Sequence, residues 1–223
     1  RGIIQDYFGN EIASNNKIYQ LHIVPESTPD IDVLLFRLKS IINLSTKKVS
    51  RIKKQIINKK SWDTTIVSDN LTWSEFSRIN LFLHELQGAE PVVSVARFYA
   101  DNSSAHAIGY VSEISLADLR SKTYLKDLNI EGVGIGKTGL ESSLDEQMLG
   151  SPGYLRYEVN AYGKKIKQVA TDKGLKGKTY RTTLDQSIQK FSTEVLQGVS
   201  GAICVMDIYN GDIISMVSSP NFN

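Results

Sequence analysis

A single cysteine, Cys204, is all that 223 residues offer for disulfide chemistry, so no internal disulfide can form and the redox compartment goes unmarked. No apolar run approaches the ~20 residues of a membrane-spanning helix. The charge imbalance is slight, +2 from 26 basic and 24 acidic residues, too little to point to nucleic acid. There is no internal repeat, and 41% hydrophobic with 22% charged residues excludes a disordered tail or a low-complexity fibre. The three histidines, His22, His84 and His106, lack ligand spacing, and Gly88 denies the His84-Glu85 pair the second histidine of a zinc-protease pattern. No metal or cofactor is expected. The chain starts at Arg1 with no signal-like segment, so it reads as a piece of something longer.

What is present reads as an α+β chain. Alternation over Lys17-Ile18-Tyr19-Gln20-Leu21-His22-Ile23 predicts a half-buried strand, after a turn rich in Asp, Gly and Asn at Asp6–Asn10. From 30 to 88 the period turns helical, in three helices. Leu34, Leu38 and Ile41-Ile42 stripe the first, and Val49, Ile52 and Ile56 the second. The third opens on a capping box, Thr72-x-x-Glu75, carries Phe76, Ile79, Leu83 and Leu86, and closes at Gly88. Strands are predicted over 92–99 and 108–114, with a short helix after Ser115. A glycine cluster then leads into a second capping box, Thr138-x-x-Glu141, and a helix carrying Leu140, Leu144 and Met148 to Gly150. Residues 154–159 and 164–169 form a hairpin joined through Asn160-Ala161-Tyr162-Gly163, and 171–178 read as a polar linker. Beyond it, Asp185 caps a helix with Ile188, Phe191 and Val195, and two apolar runs flank the Asn210-Gly211 hairpin turn.

Serine-hydrolase motifs are plentiful. Ser-x-x-Lys occurs at Ser14, Ser45, Ser50 and Ser187, Ser68-Asp69-Asn70 supplies a second β-lactamase element, and Lys137-Thr138-Gly139 a third. Their context argues against catalysis, because Thr138 is placed as a helix cap and Ser45 and Ser50 lie in or beside a lysine-rich surface helix. Gly134-x-Gly136-x-x-Gly139 fits a dinucleotide loop but follows no buried parallel strand, and reads as a tight turn. The charge pattern is more informative. No acid lies between Val33 and Trp62, whereas nine basic residues do, and Lys47, Lys48, Arg51, Lys53 and Lys54 mark a candidate partner surface. Aromatic interleaving is sparse there, so single-stranded nucleic acid is not expected.

Four stretches carry a family resemblance. Arg1-Gly2-Ile3-Ile4-Gln5-Asp6-Tyr7-Phe8-Gly9-Asn10-Glu11-Ile12-Ala13 resembles the first signature of class B penicillin-binding proteins, with Tyr7 where the family has arginine. Arg97-Phe98-Tyr99-Ala100 followed by Ala105–Val111 looks like the second, with Ala100 in place of proline. Gly136-Lys137-Thr138-Gly139-Leu140-Glu141, with Leu149-Gly150 and Glu158-Val159-Asn160-Ala161, is similar to the third. The tail, Thr182–Gln189 and Asp207–Asn223, resembles the opening of the family's transpeptidase domain.

This resemblance implies a fold of a mixed β-strand pedestal with a three-helix insert, followed by the first helix and β-hairpin of a truncated transpeptidase domain. Residues 1–178 would be the non-catalytic pedestal, with its helical head at about 30–90, and 179–223 the start of the catalytic domain. Arg1, Gly2, Asp6, Gly9, Arg97, Gly109, Gly136, Gly139, Glu141, Gly150 and Asn160 would be structural signature positions. The catalytic Ser-x-x-Lys would lie beyond residue 223, so this stretch would hold no catalytic residue of its own. The parent would cross-link peptidoglycan during elongation, on the periplasmic side of the bacterial inner membrane, anchored by an N-terminal helix absent here. Its partners would be a SEDS-family glycan polymerase, elongation scaffold proteins and its own transpeptidase domain, with peptidoglycan reached through that domain. A β-lactamase-like hydrolase and a free-standing cell-envelope adaptor are the alternatives.

Overall fold

The computed structural model describes residues 1–60, 63–125, 134–151, 153–159 and 165–222. They form two compact units, one of Arg1–Asn15 with Arg97–Asn223 and one of Asn16–Ala96.

The first unit begins with β1 (Ile4–Gln5), which turns through Asp6–Asn10 into β2 (Glu11–Ile23) and pairs antiparallel with it, Ile4 opposite Ala13. β2 carries the chain into the second unit. There Asp30 caps α1 (Ile31–Ile41), accepting hydrogen bonds from the N–H groups of Asp32 and Val33. Ser45 caps α2 (Thr46–Asn58), accepting from Lys48 N at 3.2 Å. β3 (Thr65–Leu71) pairs antiparallel with the far half of β2, Tyr19 opposite Leu71. Thr72 and Glu75 then close the predicted capping box on α3 (Trp73–Leu81). β4 (Ala89–Tyr99) pairs with β2 and leads back to the first unit. Leu21, Ile23, Leu34, Leu35, Leu38, Ile52, Ile56, Val67, Leu71 and Ile79 make the core of the second unit.

Three sequence expectations change here. The insert spans Asn16–Ala96 and includes a strand, β3, between the second and third helices. Helical periodicity passed over that strand because its polar centre, Ser68-Asp69-Asn70, hides a short alternating pattern. The third helix also stops at Leu81 and continues only as a 3-10 turn, Leu83–Glu85, so Leu83 is exposed while Leu86 remains in the core. A threonine hydroxyl at an N-cap satisfies a first-turn amide that would otherwise lack a partner. Thr72→Ala is therefore expected to lower stability by about 1 kcal/mol, read as a lower urea midpoint.

Back in the first unit the elements are short. α4 (Ala105–Ile108) precedes β5 (Val111–Glu113), so the strand expected over 108–114 starts later than predicted. Ser115 and Asp118 form a capping box on α5 (Leu116–Ser121), and β6 (Gly134–Gly136) pairs antiparallel with β5. The helix expected from 139 to 149 is two pieces, α6 (Gly139–Ser143) and α7 (Asp145–Leu149), broken at Leu144. Thr138 occupies the N-cap position with extended backbone, but its side chain accepts no cap hydrogen bond. The second capping box does not form because Glu141 is engaged elsewhere. Thr138→Ala should accordingly leave the midpoint where it is, in contrast to Thr72→Ala.

β7 (Tyr154–Val159) and β8 (Lys165–Asp172) form the predicted hairpin, its expected turn lying outside the described residues. Residues 171–178 are not a free linker. Leu175 bridges Ser151 through two backbone hydrogen bonds, and Lys178 N donates to Gln147 O at 2.9 Å. β9 (Tyr180–Arg181) then lies parallel to β1, Ile4 opposite Tyr180. α8 (Gln186–Val195), capped by Asp185, precedes the antiparallel pair β10 (Gly201–Met206) and β11 (Ile213–Ser219). The buried side of α8 is polar, Gln189 and Ser192, while the predicted stripe residues Phe191 and Val195 face outward at 65% and 56% exposure. Ile4, Ile12, Ala13, Ala107, Ile108, Met148 and Leu184 make this unit's core.

Candidate functional site

The first signature begins with a turn that Asp6 organises. Its carboxylate is almost fully buried and accepts from Phe8 N at 2.9 Å, Asn10 N at 2.7 Å and Asn10 Nδ2 at 2.8 Å. Burial opposes its ionisation, but the hydrogen bonds from Asn10, Phe8 and Gly9 outweigh that and hold its pKa below the usual range. Gly9 sits in the same turn at φ +91°.

Further along, residues from all three signatures converge. Glu141 of α6 is completely buried and accepts from Arg1 Nε at 2.7 Å and from Arg97 Nε at 2.7 Å, with Arg97 Nη2 also at 2.7 Å. Arg1 donates to the Glu141 carbonyl at 2.9 Å and pairs with Asp145 Oδ1 at 2.7 Å. Arg97 also donates to the carbonyl of Gly2 at 2.7 Å and to Asn15 Oδ1 at 3.1 Å. Asp145, at the start of α7, accepts from Gly136 N at 2.7 Å, Lys122 Nζ at 3.3 Å and the Tyr124 hydroxyl. Each arginine thus spends its fork on a carboxylate and a backbone carbonyl, as its geometry favours. The ordering of motifs in the sequence hints at this convergence; Asp145, Lys122 and Tyr124 were missed. Reading Glu141 as a cap concealed the carboxylate one turn beyond it.

Two glycines are set by this packing. A Cβ on Gly136 would lie 1.9 Å from the Glu141 carbonyl oxygen, and one on Gly109 (φ +79°) would lie 2.0 Å from the Thr138 carbonyl oxygen. Gly2 N donates to Met148 O at 2.7 Å, Gly139 opens α6 and Gly150 follows α7. Asn160 lies outside the described residues. The cluster ties together the backbone around Gly2, Gly136 and Glu141.

The basic residues of α2 divide between two roles. Lys47, Arg51 and Lys54 are exposed at helical spacing beside Thr46 and Ser50, around a surface depression of about 430 Å³. Lys48 and Lys53 are half-buried, and Lys53 Nζ pairs with Asp32 at 2.5 Å. The five positions therefore do not form one face. Of the hydrolase motifs, Ser45 is a helix cap, Lys137 Nζ pairs with Asp118, and Ser68-Asp69-Asn70 lies on β3 in the other unit. Among the described residues no cluster of His, Cys, Asp and Glu could hold a metal ion, and no helix is long and apolar enough to cross a membrane.

Residues 1–182 match the family described as the penicillin-binding protein dimerisation domain. The chain belongs to that family. Along its full length it is 30% identical to the peptidoglycan D,D-transpeptidase MrdA of Haemophilus influenzae, covering 35% of that protein, and 30% identical to MrdA of Escherichia coli K12, covering 36%. It spans about a third of the length of these curated relatives. Its fold matches the penicillin-binding protein PBP2 of Helicobacter pylori, solved in complex with MreC, with a TM-score of 0.75 at 23% identity, over all of this chain and 42% of that one. The mixed α+β architecture is thus similar to that part of the PBP2 fold.

Two carboxylates of the first unit are held ionised by their partners. Burial opposes charge at Asp145, yet the Tyr124 hydroxyl, Gly136 N–H and Arg1 guanidinium hold its pKa low. At Asp101 burial is likewise outweighed, by Ser103, Gln186 and Lys190. Burial and then the Glu141 carboxylate push the Tyr99 phenol up to about 12. The depressed carboxylates contribute stability that is fully present above the unfolded value of about 4 and lost as pH falls through the lower folded values. The urea midpoint should therefore hold from neutral pH to about 5 and drop steeply below about 4. A midpoint that rose on acidification would contradict the assigned directions.

Proposed function

We propose that the chain is the pedestal of a peptidoglycan D,D-transpeptidase of cell elongation, a non-catalytic body in residues 1–178 that positions a catalytic domain beginning at 179. The observation that carries this reading is the buried Arg1–Glu141–Arg97 cluster, in which residues of all three signatures meet without a nucleophile. The relatives' names and their roughly threefold greater length support it. The parent would work on the periplasmic side of the inner membrane, anchored by a helix that precedes Arg1. Elongation scaffold proteins and a SEDS-family glycan polymerase would be its partners; the relative solved with MreC supports the scaffold contact. Lys47, Arg51 and Lys54 of α2 are the surface proposed to meet them, since exposed charge mostly sets encounter rate and orientation.

Penicillin labelling tests the core of this reading. The longer parent should be acylated with one penicillin per chain, whereas residues 1–223 should gain no adduct by mass spectrometry. An adduct on Ser45, Ser50 or Ser187 would support the β-lactamase-like alternative. For the surface, Lys47→Glu/Arg51→Glu/Lys54→Glu in the parent should weaken capture of an MreC-type scaffold protein, most strongly at low salt. Equal capture at two ionic strengths would reduce α2 to a solvated face.

A further inference from the structure

The first unit contains a cleft of about 770 Å³ that borders the ionic cluster at Arg97; Asp101 also lines it, but its walls are mainly apolar, with Ile12, Phe98, Tyr99, Ile108, Tyr110 and Phe222. Phe98 and Tyr110 are 46% and 42% exposed there. Large side chains gathered in a concavity at that exposure are a binding surface more often than a solvated one.

The chain itself indicates the occupant. Phe222, the last described residue, is one wall of the cleft; its ring stands edge-on to His106 at 4.9 Å and to Tyr110 at 6.0 Å. The residues just before it are already fastened there, with His106 Nε2 and the Pro220 carbonyl oxygen 3.0 Å apart. We propose that this cleft seats the segment that follows Asn223 in the whole protein, so that the first unit holds the catalytic domain just beyond its opening hairpin. The proposal rests on the reading of this chain as the front third of a transpeptidase.

Reach and concentration both favour that occupant. Three residues span about 10 Å, enough to run from Phe222 across the cleft. A segment tethered at the mouth is present at an effective concentration in the millimolar range, which a separate partner or a second copy would have to exceed. Its apolar residues would cover Phe98 and Tyr110.

Hydrogen exchange on the full-length parent, compared with residues 1–223, tests this. Amides of 98–110 should exchange at least tenfold more slowly in the parent at low micromolar concentration, with no partner added. Equal rates would overturn the proposal. So would protection in residues 1–223 that grows with protein concentration, which marks a second copy, or protection that needs an added scaffold protein. Phe98→Asp, at an already exposed position, should leave the midpoint of residues 1–223 unchanged but return the parent's exchange to the fast rate. Persisting protection in that variant would also overturn it. Penicillin acylation of the same parent sample keeps the two readings separate: an acylated parent with an unprotected cleft refutes only the seating, and a parent that is not acylated refutes the pedestal reading.

Discussion

Glu141→Gln is expected to cost about 3–5 kcal/mol of unfolding free energy, the largest effect of any single substitution considered for this chain. The replacement keeps the shape and removes the charge that two guanidinium groups share. The Arg1 and Arg97 side chains are only 8% and 5% exposed, so water cannot replace the lost charge; Arg1 keeps Asp145, whereas Arg97 loses the one carboxylate it pairs with among the described residues. The penalty is the burial of uncompensated positive charge rather than the worth of the pair, because desolvation offsets much of what a buried ion pair gains. A companion variant separates these terms. Arg97→Leu/Glu141→Leu removes one charge of each sign, leaves Arg1 paired with Asp145, and should regain a large part of the loss. Urea unfolding of wild type and both variants at pH 7 is the measurement. A shift below 1 kcal/mol for Glu141→Gln would mean that the cluster is not the fastening described here.

Gln189→Leu should be next in size, at about 3 kcal/mol. Gln189 is fully buried and ties two other segments, Ser103–Ser104 and β11, to α8. Its Oε1 accepts from Met216 N at 2.6 Å and Ser215 Oγ at 2.7 Å, while Nε2 donates to Ser103 O at 3.3 Å and Ser104 Oγ at 3.2 Å. Leucine fills similar space but leaves the Met216 amide and the Ser103 carbonyl without these bonds, at roughly 1–3 kcal/mol for each buried group stranded. Ser215 is partly protected, since its hydroxyl also lies 3.2 Å from Ser192 Oγ. The loss should be read both as a lower midpoint and as faster exchange of the β11 amides. Faster exchange confined to α8, with β11 unaffected, would show that Gln189 does not hold the strand.

Local chemistry was the legible part of this protein. Thr72-x-x-Glu75 is a short-range signal and stands where the sequence places it, and the hairpin signalled by Asn210-Gly211 forms, though through a loop over 207–212 rather than a two-residue turn. Long-range chemistry was not legible. Nothing near Glu141 distinguishes a carboxylate that caps its own helix from one that reaches Arg1 and Arg97, because the deciding partners lie 140 and 44 positions away. The outward-facing Phe191 and Val195 illustrate the same limit, since apolar periodicity marks a face without saying what covers it. The family resemblance marks Arg1, Arg97 and Glu141 as signature positions, but it does not say that they meet.

The crossing points of the insert also bear on how the chain folds. On the first unit's side they are already tied together: Ala100 N donates to Ile12 O at 3.0 Å, and Arg97 reaches the carbonyl of Ser14 at 3.5 Å. Joining those strands while Asn16–Ala96 is still unstructured means closing a loop of some eighty residues, an entropic cost of about 4 kcal/mol. An insert that folds first brings its own two ends under control and removes most of that cost. The rate at which the Arg97 cluster assembles is thus set in large part by residues that take no part in it, and slow folding of the first unit is the expected symptom of a substitution in the core of the second.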